Sequence, residues 1–232
     1  MKKLPTVFVA LMLSMLAMAS AVQAQDAAAG DKKSAMCIGC HGIPGYQASF
    51  PEIHKVPMIS GQNAKYIVAA LTAYKKGERK HPTMRAIATT LTDKDMADLA
   101  AHYEQQGRSG GVALVSTAAA PAAAPAAPAA APANAPAAAA EVLKAGNCAA
   151  CHGANLNQPI DPSYPKIAGQ HADYLFVALK AYKTDGNPHM GRANAIMGGM
   201  VKPFSHAQLK AVAAYIASQP GDLKTIEQSH FR

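Results

Sequence analysis

The chain has 232 residues, with 22 Lys and Arg against 14 Asp and Glu, giving a formal charge of +8 at pH 7. Its basic residues are scattered, only 6% of residues are aromatic and none is Trp, so it lacks the footprint of a nucleic-acid-binding protein. A docking face for an acidic protein, or affinity for an anionic membrane surface, fits the charge better.

The N-terminus opens with Lys2 and Lys3, continues as an apolar run from Val7 to about Ala19, and closes on small residues in "SAVQAQ". This is the anatomy of a secretory signal, residues 1–24, cleaved after Ala24. The apolar run falls short of the roughly 20 residues that span a bilayer. Cleavage removes two lysines and no acid, leaving a charge of about +6. The expected location is the periplasm, an oxidising space in which four cysteines suggest disulfides by default.

A first domain is expected over 25–111. It begins with "AMCIGCHGIPG" from Ala35, and helical spacing puts Cys37, Cys40 and His41 on one face. Further on, Tyr66, Ala69, Ala70, Ala73 and Tyr74 recur at i, i+3, i+4, i+7 and i+8, predicting a helix whose tyrosine stripe packs. "ERKHPTM" reads as a loop ending at Met84, and "LTDKDMADLAAHY" as a terminal helix with Thr92 as N-cap and Asp95 as partner in an approximate capping box.

Residues 112–140 are nearly all Ala and Pro. Pro121, Pro125, Pro128, Pro132 and Pro136 forbid a continuous helix, and there is nothing large to bury, so this is a semi-rigid linker with a reach of about 3.1 Å per residue.

The second domain, 141–232, repeats the first. "GNCAACHGANL" presents Cys148, Cys151 and His152, and "YPKIAGQHADYLFVALKAY" answers "VPMISGQNAKYIVAALTAY". Tyr174, Val177, Ala178, Ala181 and Tyr182 repeat the stripe, and "FSHAQLKAVAAYI" starts with a proper Ser205/Gln208 capping box. No stretch alternates well enough to predict a strand, so the fold class is all-α.

The chemistry lies in the repeated C-x-x-C-H. A thioredoxin-like pair would follow a strand in a βαβ unit, and none is predicted. One four-cysteine zinc site would have to join both motifs across the linker. A disulfide between cysteines one turn apart would staple almost nothing. Two thiols that add to the vinyl groups of a porphyrin, with a histidine beside the second thiol to reach the iron, account for the whole motif. Two covalently bound haem c groups are expected, each supplying core that a small domain lacks.

The sixth iron ligand decides function, since a methionine sulfur closes the site and raises the potential. The first repeat offers Met36, Met58, Met84 and Met96, and the second Met190, Met197 and Met200. Met84 lies seven residues before Leu91 and Met197 seven before Phe204, a shared register that favours this pair, with Met200 as runner-up. His54, His81, His171 and His189 are the histidine alternatives.

These residues resemble class I c-type cytochromes, and specifically the dihaem cytochrome c4 family. The resemblance rests on both C-x-x-C-H motifs, on P-x-x-x-G-Q at Pro57–Gln62 and Pro165–Gln170, on the Tyr that follows, and on a Met before a C-terminal amphipathic helix. It implies two tandem cytochrome c domains, iron ligands His41 with Met84 and His152 with Met197, and Pro57 and Pro165 carbonyls bonded to the imidazoles. It also implies Arg79 near a haem propionate, with Arg192 as a counterpart that does not align cleanly. Family members pack their domains directly, whereas this linker could hold them apart as two tethered carriers.

The expected function is electron carriage from a quinol-oxidising complex or dehydrogenase to a terminal oxidase or reductase. The rivals are a dihaem enzyme of peroxidase or thiosulfate-oxidising type, with an open sixth position, and a cytochrome subunit bound to a dehydrogenase.

Overall fold

The computed structural model describes residues 25–108 and 135–227. The expected signal sequence with its expected cleavage position, and residues 112–134 of the expected linker, lie outside them. Each half of the chain folds as a small helical domain with its own core.

In the first domain, α1 (Ala27–Lys33) is capped by Asp26, whose carboxylate accepts from the Ala28 and Ala29 N–H groups. Then come α2 (Ala35–His41), the two-residue strands β1 (Gln47–Ala48) and β2 (His54–Lys55), and α3 (Ala64–Lys76), which ends at Gly77 in the left-handed conformation. After β3 (Arg79–Lys80), α4 (Pro82–Thr89) and α5 (Asp93–Arg108) complete the domain. Thr92 and Asp95 bond reciprocally at the start of α5, so an Asp serves where the capping box usually has Glu or Gln.

Helix α1 crosses α5 at Gly30. A Cβ there would lie 2.1 Å from the Asp98 carbonyl oxygen, so only Gly permits this approach. Around the crossing the contacts are polar: Lys33 and Lys94 both reach Asp98, which also accepts from the Asp26 N–H. Beneath it lies the core of Ile67, Leu91, Met96, Leu99, Ala100 and Tyr103.

The second domain runs α6 (Ala137–Ala145), α7 (Cys148–His152), α8 (Ala172–Tyr182), β4 (Gly191–Arg192), α9 (Ala195–Val201) and α10 (His206–Ala217). Here the crossing of first and last helices is apolar, with Ala139, Val142 and Leu143 in one cluster with Leu209, Val212, Ala213 and Ile216. The Ser205/Gln208 capping box is present in full.

The structure adds to or differs from the sequence reading at several points. Helix α6 begins at Ala137, inside the stretch read as linker: Pro136 occupies the N-cap, no proline follows within the helix, and Ala139 is buried. Among the described residues there are four short strands, each of two residues and therefore too short to show alternation. The tyrosine stripe packs, as read, but in part against the other domain. In α3, Ala64, Ile67, Val68 and Leu71 face their own core, Ala69 is exposed, and Tyr66 and Tyr74 lie near Arg192 of the other domain; Tyr182 packs on its own core.

The domains are docked, not held apart. Strand β3 pairs antiparallel with β4 across the interface, Arg79 opposite Arg192. The Ala193 N–H donates to the Glu78 carbonyl at 2.7 Å, the Lys55 N–H to Asp173 at 3.0 Å, and the Lys224 N–H to the Ser60 carbonyl at 3.0 Å. Lys180 adds an ion pair to Glu52 at 2.5 Å. The composition of the linker sets its stiffness but carries no information on whether its two ends are complementary.

Candidate functional site

Two equivalent faces emerge, one per domain. Helix α2 presents Cys37, Cys40 and His41, and α7 presents Cys148, Cys151 and His152, with all four thiols free. Cys37 packs on the core of the first domain and Cys148 on that of the second, so the pairs belong to separate sites. Among the described residues no three His, Cys, Asp or Glu side chains converge as a metal cage.

Burial pushes the Cys37 thiol up, and that of Cys148 up to about 11. Thiol exchange and thiolate–metal sites need the opposite shift.

The His41 Nδ1–H donates to the Pro57 carbonyl at 2.8 Å, and the His152 Nδ1–H to the Pro165 carbonyl at 2.9 Å. With the proton held on Nδ1, Nε2 keeps its lone pair for a metal. Burial lowers the pKa of both imidazoles, which favours the neutral, ligand-competent form.

Met84 lies not in a loop but in the first turn of α4, where the proline that follows His81 starts a helix. The His81 ring accepts from the Met84 N–H at 3.4 Å, and the Asn194 side chain accepts from the Met197 N–H at 2.9 Å at the start of α9. The two methionines thus occupy the same position, third residue of a short capped helix before the terminal helix. Met197 packs against the core, whereas Met200 is 44% exposed.

The histidine alternatives show no such duplication. His54 is buried and donates Nδ1–H to the Glu52 carbonyl, His81 caps α4 where the second domain has Asn194, and His189 is exposed.

Arg79 and Arg192 meet at the interface. Arg79 donates to the Tyr66 hydroxyl at 3.0 Å and Arg192 to the Tyr174 hydroxyl at 3.1 Å, and the guanidiniums lie over Tyr74 and Tyr182. Burial pushes the Tyr66 phenol up to about 12 even beside Arg79. Tyrosines, and no carboxylate among the described residues, surround these two partly buried cations. The buried Tyr103 hydroxyl lies beside Cys37.

This donor set fits haem c: paired unmodified thiols, an imidazole with Nε2 free, a thioether at a matched position, and cations suited to propionates. The sequence reading missed the interface roles of Tyr66, Tyr74, Tyr174 and Tyr182, and those of Gln62 and Gln170. Their local signal, the repeated G-Q and Tyr, was visible; their partners lie in the other repeat.

The cytochrome c family profile matches the chain twice, over residues 27–106 and 136–220. Cytochrome c4 of Pseudomonas aeruginosa is 28% identical over 208 residues, covering 90% of this chain and 96% of that protein. The thiosulfate dehydrogenase electron acceptor of Stutzerimonas stutzeri is 31% identical over 210 residues, covering 90% of this chain and 91% of its own. The crystal structure of reduced recombinant cytochrome c4 from Pseudomonas stutzeri superposes with a TM-score of 0.57 at 26% identity, over 85% of this chain and 100% of that one. The chain belongs to the cytochrome c family and, within it, to the dihaem cytochrome c4 proteins, electron-transfer proteins with two covalently bound haem c groups.

Proposed function

We propose that this protein is a periplasmic carrier that takes electrons from a quinol-oxidising complex or a dehydrogenase and delivers them to a terminal oxidase or reductase. The observation that carries this reading is a duplicated pair of candidate ligands: a histidine oriented by a proline carbonyl, and a methionine at the same capped position, in each domain.

Cys37 and Cys40, and Cys148 and Cys151, hold the groups as thioethers. His41 with Met84, and His152 with Met197, would ligate the iron, and Arg79 and Arg192 would neutralise propionates. Haem c supplies a one-electron ferric/ferrous couple when bound. With a histidine and a methionine available to each group, the site would be closed to substrate and suited to electron transfer. Docking of the domains brings both sites into one body, which supports exchange between them in preference to two tethered carriers acting separately.

Similarity to a thiosulfate dehydrogenase electron acceptor favours a dehydrogenase as donor. No helix among the described residues is long and apolar enough to cross a membrane, which accords with a carrier exported by the signal at 1–24. The net positive charge suits transient docking on acidic partners or an anionic membrane surface.

The ligand assignment is tested in the ferric protein by the methionine-to-iron charge-transfer band. Met84→Ala and Met197→Ala each remove about half of it on this reading. A band unaffected by Met197→Ala but halved by Met200→Ala would reassign the second site.

A further inference from the structure

The peptide unit that orients each proximal histidine is held from the opposite domain. The Pro165 carbonyl accepts from the His152 Nδ1–H, and the N–H of the same peptide, on Lys166, donates to Oε1 of Gln62 at 2.9 Å. Reciprocally, the Pro57 carbonyl accepts from the His41 Nδ1–H, and the Met58 N–H of that peptide donates to Oε1 of Gln170 at 3.0 Å.

Both amides are locked. Gln62 Nε2 donates to the Lys166 carbonyl at 2.9 Å and Gln170 Nε2 to the Met58 carbonyl at 2.8 Å. Each Oε1 also accepts from the next backbone N–H, of Asn63 and His171 respectively. Two N–H donors on one end and a carbonyl on the other fix which end is oxygen. Each glutamine is only 4% exposed, so its bonds are shielded from competing water.

We propose that Gln62 and Gln170 are positioning residues that tune the iron ligand of the opposite domain. The claim rests on His41 and His152 being the ligands. A peptide is a conjugated unit. An acceptor on its N–H moves electron density to its carbonyl oxygen, which then accepts more strongly from the imidazole. A stronger Nδ1–H bond makes the imidazole a better electron donor, which favours ferric iron. Each domain therefore lowers the potential of the other's haem through one shared peptide, and only while the two are docked. The same four-atom relay occurs twice, in the two halves of a duplicated chain, with different residues (Lys166 and Met58) supplying the N–H.

The test uses the full-length holoprotein. Gln62→Leu removes the acceptor while keeping much of the volume, and the reduced fraction of the second-domain haem at a fixed potential near its midpoint is expected to rise, its reduced-to-oxidised ratio by roughly two- to fourfold. The first-domain haem stays nearly unchanged, and Gln170→Leu gives the mirror image. Asn63→Ala removes another interface bond, to the Tyr164 carbonyl, without touching the relay, and gives no crossed shift.

In the reduced protein, the NMR signal of the His152 Nδ1–H is expected to move upfield in Gln62→Leu, a readout independent of electron-transfer activity. Shifts confined to the mutated domain, equal shifts of both haems, the same response from Asn63→Ala, or no shift at all would each overturn the relay. The ligand reading is checked separately in the wild type, where ring current moves the protons of an iron-bound imidazole far upfield. If that signature is missing for His152, the site assignment fails; if it is present without a crossed shift, only the relay fails.

Discussion

Acid should loosen the first domain before the second, and Asp98 is the reason. Its carboxylate is buried under the crossing of α1 and α5, with Lys33 at 2.9 Å and Lys94 at 3.0 Å. Burial by itself raises the pKa of such a group, but the bonds from Lys33, Lys94 and the Asp26 N–H outweigh it and hold the carboxyl at about 2, below its ordinary 3.8. A depressed carboxylate stabilises the fold above its unfolded pKa, and that contribution is lost as pH falls from about 4 through about 2. At about 1.36 kcal/mol per pKa unit the shift corresponds to at most about 2.4 kcal/mol. The lysine side chains are 35% and 46% exposed, so solvent screening reduces this to about 1 kcal/mol.

Urea unfolding of the holoprotein, followed by far-ultraviolet circular dichroism, measures the effect without adding salt. Asp98→Asn keeps the shape and an oxygen for the Asp26 N–H while removing the charge. It is expected to lose about 1 kcal/mol in the first domain's transition at pH 7, a difference that shrinks toward zero by pH 2. The second domain's helix crossing is apolar and contains no counterpart, so its transition stays put. An Asp98→Asn effect that persists undiminished at pH 2, or that appears in the second domain, would refute the reasoning.

Two further outcomes follow from the packing. Gly30→Ala places a methyl 2.1 Å from the Asp98 carbonyl oxygen and 2.8 Å from the His102 Cβ, so α1 must move off α5; a loss of about 1–3 kcal/mol in urea unfolding of the first domain is expected, and an unchanged midpoint contradicts the close crossing. Asn194→Ala removes the cap that holds the Met197 turn, costing about 1 kcal/mol locally, and added imidazole should then displace the second-site methionine roughly fivefold more readily while the first site is unaffected.

The parts of this molecule governed by local constraints were legible in its sequence. Two thiols and an imidazole must share a helix face to meet one porphyrin, so C-x-x-C-H fixed α2 and α7. The shared register of Met84 and Met197 selected the two residues that the structure sets at equivalent capped positions. Arg192 was hard to align because the turn between Tyr182 and Arg192 is longer than that between Tyr74 and Arg79; only the pairing of β3 with β4 restores the equivalence. The glutamines were visible as a repeated pattern, yet nothing near them in the chain names Lys166 or Met58 as their targets. The tyrosines carried the right period, but a helical stripe says which residues share a face and not what covers it.

The most direct test of the central claim is to expose the fully reduced holoprotein to carbon monoxide and record its visible spectrum. With imidazole and thioether filling both axial positions in each domain, the low-spin spectrum should stay unchanged. Rapid conversion of either haem to a carbon monoxide complex would show an open sixth position and contradict the account of a closed electron carrier.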